Sequence, residues 1–414
     1  MIIDNIFRDT KEGLLVQTWK RNLYLCWIGS FLTAAGMNLV IPFLPLYITE
    51  LGETNHIEIW SSLAFSSTFL TAAIFSPIWG KLSDRFGRKP MLLRASLGMS
   101  IIMMMIGFAT SAFQLVLLRF LMGAIAGFIP AAVILVASQT PDEESGRALG
   151  LLSTGGVAGT LIGPVIGGLL ADLVGFRQVF WITGALLLIS FIVSLFLVET
   201  SSAEKRKKKS INTVTVSNKE FWGLTLSIFV TTLILQSAMM SMQPILTLYV
   251  ESLGGPVMYI SLLAGIVTAI SGVSNMISAP YLGKLGDRIG PQRVLNVCLA
   301  AVAVLIACHA FVSNIWVLIV LRFLLGFGLG GLLPAVNSLL KKRVPDAILG
   351  KAYGYNQTFQ YMGGVAGPII GGIIGGSFGL PVVFIVSSTL LLVNALFVFS
   401  FRKRTIVVEQ QVSA

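Results

Sequence analysis

Two arginines stand alone inside apolar runs, Arg119 in LRFLMG at 118–123 and Arg322 in LRFLLG at 321–326. If those runs lie in a bilayer, each charge costs at least about 2.5 kcal/mol and persists where function or a buried partner requires it. The competing reading is a long side chain snorkelling to the interface, since both arginines lie within two turns of their helix starts. A second group is GKLSDRFGRK at 80–89, which crowds Asp84 between Arg85 and Arg88. There a carboxylate can pair with a neighbouring guanidinium or a helix N-terminus, and such a pair has two arrangements if helices move. Gly80, Asp84, Arg85, Gly87 and Arg88, with Asp287 and Arg288 in a partial copy, are therefore candidates for a conformational latch. Cations that only fix orientation are the competing account, and the one preferred for Lys89. Arg94, near the end of its span, reads as a snorkeller.

The elements that must hold these groups are set by composition. Of 414 residues, 55% are hydrophobic and 11% are charged, against roughly 25% charged in a soluble domain. Segments of about 20 mostly apolar residues, enough to cross a bilayer, recur along the chain. Twelve are read, at 23–48, 59–79, 91–110, 114–138, 149–171 and 177–198, then 221–250, 259–281, 294–313, 316–340, 352–375 and 381–401. The expected fold is all-α and integral to the membrane. Cys26, Cys298 and Cys308 are scattered through apolar segments without C-x-x-C spacing, so buried inert thiols are expected. His56 and His309 lack ligand spacing, and no metal or cofactor is expected. No signal peptide is visible in the first 22 residues, which mix charged and apolar positions.

The net charge of +11 is explained by placement. Connections after spans 2, 4, 6, 8 and 10 carry Lys81, Arg85, Arg88, Lys89, Arg147, the run KRKKK at 205–209, Lys284, Arg288, Arg293 and Lys341–Arg343. The opposite connections are nearly free of cations, Arg177 excepted, and one, ELGETNHIE, is acidic. By the positive-inside bias the basic connections and both termini are cytoplasmic, so the charge needs no nucleic-acid partner. The expected organisation is a lead-in at 1–22, a six-helix bundle at 23–198, a solvated linker at 199–220, a second bundle at 221–401 and a tail at 402–414.

The two bundles repeat each other. IPFLPLYITELG at 41–52 returns as QPILTLYVESLG at 243–254, and SPIWGKLSDRFGRK at 76–89 as APYLGKLGDRIGPQ at 279–292. The most regular match is in glycine and proline: Gly150, Gly159, Gly163, Pro164, Gly167 and Gly168 in span 5 keep their spacing as Gly354, Gly363, Gly367, Pro368, Gly371 and Gly372 in span 11. Missing side chains let helices approach closely and neighbours can satisfy a carbonyl freed by proline. The stretch GTLIGPVIGG therefore reads as a packing seam and bend, a gate or hinge where the halves meet, with close packing alone as the competing account. Parallel repeats of this kind place a binding site at their interface near the bilayer midplane.

Over essentially its whole length the sequence resembles the major facilitator superfamily. GKLSDRFGRK matches that superfamily's signature between spans 2 and 3, and the G-x8-G-x3-G-P-x2-G-G pattern of span 5 is similar to the motif of its twelve-span drug:proton antiporters, as are LVIPFLPL at 39–46 and Arg119 with Gly123. The resemblance implies two pseudo-symmetric six-helix bundles and export, from a cell membrane, of varied hydrophobic or amphiphilic compounds in exchange for protons. It implies a monomer that is not an enzyme and that has membrane lipids and small hydrophobic or amphiphilic substrates as its partners. It also implies that Arg119, with Arg322 as its repeat and Asp84 as a further candidate, takes part in proton coupling.

One departure stands out. A proton carrier is normally a carboxylate or histidine buried in a span, yet the 18 acidic residues fall in loops or at span ends, with Glu50, Glu251 and Asp172 coming nearest. The substrate surface is sought among polar and soft residues within spans: Met37 and Asn38; Gln236, Met239, Met240 and Gln243; Asn337; and Tyr353, Asn356, Gln357, Gln360 and Tyr361. Methionine and aromatic surfaces adapt to varied apolar ligands, while interhelical hydrogen bonding is the competing role for each amide. Uncoupled facilitation or import of a neutral solute such as a sugar, or lipid handling, are the alternative functions the same fold allows.

Overall fold

With no water in a bilayer core, backbone N–H and C=O groups must be satisfied within each segment, and the chain meets this with helices. The computed structural model describes residues 2–198, 218–254 and 259–412, and side chains throughout these except at 2–17, 84, 142, 218–220, 346–347 and 400–412. Twelve helical segments among them are long and apolar enough to cross a membrane, and no strand occurs among the described residues. The first six are Thr18–Glu50, Ile57–Ser83, Arg88–Gly107, Ala112–Gln139, Ser145–Val174 and Phe176–Leu197. The second six are Phe221–Ser252, Ile260–Ile289, Pro291–His309, Ile315–Arg343, Ile348–Phe378 and Leu380–Phe399. They are numbered spans 1 to 12 below. The lead-in is helical and runs unbroken into span 1 as Ile2–Leu39, and most of the linker, 199–217, lies outside the described residues.

Each half repeats one packing scheme. Span 1 lies along span 5, span 3 against span 6 and span 2 against span 4; span 7 lies along span 11, span 9 against span 12 and span 8 against span 10. Buried apolar clusters are confined to residues 19–198 and to 221–398, so each half owns its core. The repeat extends to single hydrogen bonds. The Tyr47 hydroxyl donates to the Ile106 carbonyl (2.9 Å), and the Tyr249 hydroxyl donates to that of His309 (2.6 Å), each a second hydrogen bond to a carbonyl in the last turn of its span. His309 itself is buried in the core of its half beside Phe384.

The signature GKLSDRFGRK, expected as a loop, is helical except at Gly87: the helix Ile57–Phe86 ends and Arg88–Gly107 begins on either side of that one residue. Gly87 has φ +88°, and Gly175, Gly290 and Gly379 occupy the corresponding turns with φ of +93°, +96° and +93°. A left-handed turn of one residue reverses the chain at no Cβ cost only with glycine.

Spans 1, 4, 7 and 10 are interrupted and spans 2, 5, 8 and 11 are not. Span 1 passes through a 3-10 turn at Ile41–Phe43 carrying Pro42, and span 7 breaks between Ser241 and Gln243, just before Pro244. Span 4 breaks at Ala126-Gly127 and span 10 at Gly330-Gly331. By contrast Pro77, Pro164, Pro280 and Pro368 sit inside continuous helices. The bend expected in GTLIGPVIGG thus leaves the helix Ser145–Val174 uninterrupted, because neighbouring helices clamp it on two sides.

On one side the clamp is span 1. A Cβ at Gly155 would stand 2.7 Å from the Trp27 carbonyl oxygen and one at Gly163 2.8 Å from that of Ala35, while Gly159 and Gly167 lie directly against the Phe31 and Leu39 carbonyls. In the second half Gly363, Gly367 and Gly371 meet the carbonyls of Leu233, Ser237 and Ser241 in span 7. On the other side the clamp crosses between halves: Gly168 meets the Ser261 carbonyl of span 8, and Gly372 meets Glu58 and Ser62 of span 2. Gly150 and Gly354, at the far ends of the same helices, have nothing within 4 Å. The seam therefore closes toward one end only. Gly167→Val should cost about 1–3 kcal/mol through overpacking and lower the melting temperature of the detergent-purified protein, whereas Gly150→Ala should stay within about 0.5 kcal/mol of the parent.

Candidate functional site

Between the halves, where spans 1, 4, 7 and 10 are broken, lies a cavity of about 480 Å³, within the range of small-molecule sites. Spans 1, 2, 4 and 5 and spans 7, 8, 10 and 11 all contribute to its wall. Met37, Asn38, Met240, Gln243 and Tyr361 among the sequence-predicted residues line it, as do Arg119 and Pro164. A second cavity of about 340 Å³ shares Ala72, Ala126 and Tyr361 with the first and extends to Gly80 and Ser83 beside the basic turn between spans 2 and 3. At the opposite end the halves are tied. The Ser66 hydroxyl donates to the Val365 carbonyl (2.9 Å), and the Thr247 hydroxyl donates to the Pro42 carbonyl (2.6 Å), which the break in span 1 leaves open.

Other predicted lining residues go elsewhere. Asn356 is buried and its Oδ1 accepts a hydrogen bond from the Thr232 hydroxyl at 2.8 Å, so it ties span 11 to span 7. Met239 packs against the core of the second half, and the stem of Gln236 sits over Gly363 in the span 7–span 11 seam. Tyr353, whose hydroxyl donates to the Asn337 carbonyl (3.4 Å), lies with Asn337 and Gln357 at exposed positions outside both cavity walls, and Gln360 is half-buried outside them too. Helical positions turn by about 100° each, so one face of span 11 reaches the cavity and its neighbours do not. Sequence reasoning missed Phe65, Thr68, Phe69, Ser271 and Asn275, which do line it. Thr68 and Ser271 hold equivalent places in the repeat, and Asn275 is an amide inside an apolar span; both signals were legible.

The arginines separate here. Arg119 is 4% exposed, forms part of the cavity wall, and its Nε and Nη2 have no hydrogen-bond acceptor in the protein. It does not snorkel. Arg322 is equally buried and its Nε and Nη2 are likewise unpartnered, but it lines neither cavity. Leaving buried donors unpaired costs about 1–3 kcal/mol, more for a charged group. Arg94, expected to snorkel, instead lies with its guanidinium 3.5 Å from the Trp79 ring centre, in the wall of the second cavity, because span 4's break opens room beside Gly127. Trp79 in turn donates from Nε1 to the Ala124 carbonyl (2.6 Å), one of the acceptors that the break exposes. Cys308, expected to be buried, is exposed on span 9, because the apolar run that carries it is covered by protein on one face only; Cys26 and Cys298 are buried.

In the basic turn, Asp84 occupies the last turn of Ile57–Phe86 with its side chain outside those described. Arg85 lies over the Phe86 ring (5.3 Å), Arg88 donates to the Ile134 carbonyl (3.3 Å) and Lys89 to that of Leu195 (2.9 Å), cations placed near the C-terminal ends of spans 4 and 6. Asp287 and Arg288 are exposed, with Asp287 at a small cavity of about 170 Å³. At the tied end Glu50 pairs with Arg177 at 3.3 Å. Asp172, at the end of span 5, accepts hydrogen bonds from the backbone N–H groups of Ser261 (3.3 Å) and Leu262 (2.9 Å), the first turn of span 8 in the other half. A carboxylate there satisfies orphan donors and complements the helix dipole. The repeat places Gly376 at the matching position of span 11, so this clasp exists once.

Comparison with known proteins agrees with this architecture. The family model described as Major Facilitator Superfamily matches residues 26–276 and again 261–412. Proteins described as multidrug resistance protein MdtG from Salmonella typhimurium and Salmonella dublin are each 47% identical over 395 residues, covering 94% of this chain and 98% of theirs. Among solved structures, the nucleoside transporter NupG superposes with a TM-score of 0.77 at 15% identity, covering 92% of this chain and 99% of that one. A bacterial homologue of the human lysosomal transporter Spinster, in an inward-facing and occupied conformation, does so with 0.77 at 13%, covering 92% and 96%. With a doubled six-helix packing scheme, a cavity between the halves and these matches along its length, the chain belongs to the Major Facilitator Superfamily.

Proposed function

We propose that this chain is a multidrug exporter that moves small hydrophobic or amphiphilic compounds across a cell membrane by alternating access, in exchange for protons. The observation that carries the reading is the cavity walled by both halves, with the halves tied at one end and a second cavity adjoining it toward the basic turns at the other. Relatives described as multidrug resistance proteins, 47% identical, supply the substrate class. A wall that is mostly aliphatic, aromatic and methionine, with uncharged polar groups and the single charge of Arg119, suits varied apolar ligands. The basic end is assigned to the cytoplasm together with both termini. In this state the cavity is then open to the cytoplasm, ready to load for export. The moving bodies are 23–198 and 221–401, joined by the linker 199–220 and flanked by 1–22 and 402–414.

Within that scheme Arg119 and Asp84 take part in proton coupling, the basic turns latch the cytoplasmic end when it closes, and the glycine seams of spans 5 and 11 are the surfaces on which the halves rock. Asp172 clasps the outer end. That clasp must release whenever the cavity opens outward.

In proteoliposomes with an imposed pH gradient, a fluorescent neutral dye should accumulate against its own gradient, and Arg119→Ala should slow this about tenfold or more, the scale of losing a charged hydrogen bond. Dye movement indifferent to the gradient would instead mark an uncoupled facilitator. Removing the clasp by Asp172→Ala should cost about 1 kcal/mol, as for an N-cap. The outward-open population should rise about fivefold by the same arithmetic, read as faster labelling of Ala269→Cys, in a cysteine-free background, by a membrane-impermeant thiol reagent from the outer side.

A further inference from the structure

We infer that the first half holds a phospholipid of the bilayer, with a phosphate and a primary ammonium in its headgroup, in a pocket between the starts of spans 1 and 5. The site lies outside the cavity between the halves, so it stands or falls apart from the export reading. The pocket measures about 180 Å³ and is lined by Trp19, Lys20 and Tyr24 of span 1 and by Glu144, Arg147 and Leu151 at the start of span 5. It sits at the basic end of the molecule, at the level where tryptophan, tyrosine and cationic side chains meet bilayer headgroups.

Three features fit a phosphate. Lys20 and Arg147 are exposed cations contributed by the two helices, and the contact of Arg147 with Glu144, at 3.8 Å, is a surface pair that opens at little cost. The helix Ser145–Val174 begins here without a side-chain cap, and Gly146 in its first turn faces open space, so its N–H groups and dipole are open to an anion. Trp19 is 8% exposed and its Nε1 has no acceptor, which is costly for a buried donor. A phosphate oxygen seated beside the indole would supply that acceptor. Glu144 fits the other end of the headgroup: a carboxylate at the rim disfavours a purely anionic head and receives an ammonium. Below the pocket Tyr24, Ile28 and Leu151 are exposed apolar positions, a bed for the acyl chains.

The repeat shows that the helical frame does not itself require such a pocket. Phe221, Trp222, Ile348 and Tyr355 stand where the first half has Trp19, Lys20, Glu144 and Leu151, and Lys351 stands in place of Arg147. The three rings pack with centroids 5.2 to 5.8 Å apart, and Lys351 lies over that of Phe221 at 4.8 Å. Aromatic side chains occupy the space there and the cation rests on a ring. In the first half the same positions carry a second cation, an acid and an indole N–H around an open pocket.

The test is lipid retention by the full chain in a non-ionic detergent, read by native mass spectrometry with dioctanoyl phosphatidylethanolamine, phosphatidylcholine or phosphatidylglycerol. Phosphatidylethanolamine should be held several-fold more tightly than the other two. Lys20→Gln and Arg147→Gln should each weaken it about fivefold, the scale for a basic side chain at a lipid surface. Glu144→Gln should remove the preference over phosphatidylglycerol, and Lys20→Trp/Leu151→Tyr, which copies the filling of the second half, should abolish retention. Equal retention of the three lipids by the parent, a tighter hold on phosphatidylglycerol, or retention unchanged in the filled variant overturns the inference. Displacement of the lipid by an equal concentration of soluble glycerophosphoethanolamine also overturns it, since the chains would then contribute nothing. The parent carries a measurement independent of any variant's folding: phosphatidylethanolamine with a diazirine near the glycerol end of an acyl chain should label spans 1 and 5 around Tyr24, Ile28 or Leu151 in membranes. Labelling that misses both spans overturns the site.

Discussion

Helices inside a bilayer gain no hydrophobic stabilisation by leaving lipid for one another, so their association depends on close contact. In this chain that contact is backbone against backbone: the glycines of span 5 lie on the carbonyls of span 1, those of span 11 on span 7, and each helix then turns Gly168 or Gly372 toward the opposite half. Everything else in the arrangement follows from those four seams. They hold spans 5 and 11 straight through Pro164 and Pro368. The irregular backbone of spans 1, 4, 7 and 10 is left to face the space between the halves, where polar side chains and the other half can satisfy it.

A chain built from a repeated unit starts with symmetric capabilities, and its working features are where the symmetry is broken. The tyrosine hydroxyls, the turn glycines and the seams occur twice. The carboxylate clasp of Asp172 on span 8 occurs once, with Gly376 in its mate's place. Of the two buried arginines, one opens onto the cavity and one is sealed in its half. In the proposed cycle, a clasp on one side of the closed end would bias the equilibrium between open and closed by the amount that one hydrogen-bonded cap supplies, about 1 kcal/mol. That is large enough to shift populations and small enough to reverse.

Charge inside the cavity is positive and unpaired, which sets this wall apart from one lined with buried acids. No carboxylate lines either cavity among the described residues, and the acids that do lie in spans sit at their ends, Glu50 with Arg177 and Asp172 on a helix N-terminus.

Much of this was legible in the residues themselves. Run lengths of apolar residues, the alternation of basic and non-basic connections and the spacing of Gly159, Gly163, Pro164 and Gly167 fix the spans, their repeat and the seam, because bilayer thickness and helix contact impose those patterns directly on sequence. Which residues share the cavity was not legible to the same degree. In a soluble helix the polar face marks the side away from the core, but in lipid nearly every face is apolar, so Asn356 and Asn38 look alike until one is found bonded to Thr232 and the other in the cavity wall. The same holds for Arg94, which a position near the end of a span suggested would reach for the interface; the break in span 4 and the Trp79 ring turned it inward. Sequence determined how many times the chain crosses and which helices can touch. Only the tertiary structure decided which side of each helix faces the space between the halves, because that rotation is set by neighbouring backbones and not by any partition between water and oil.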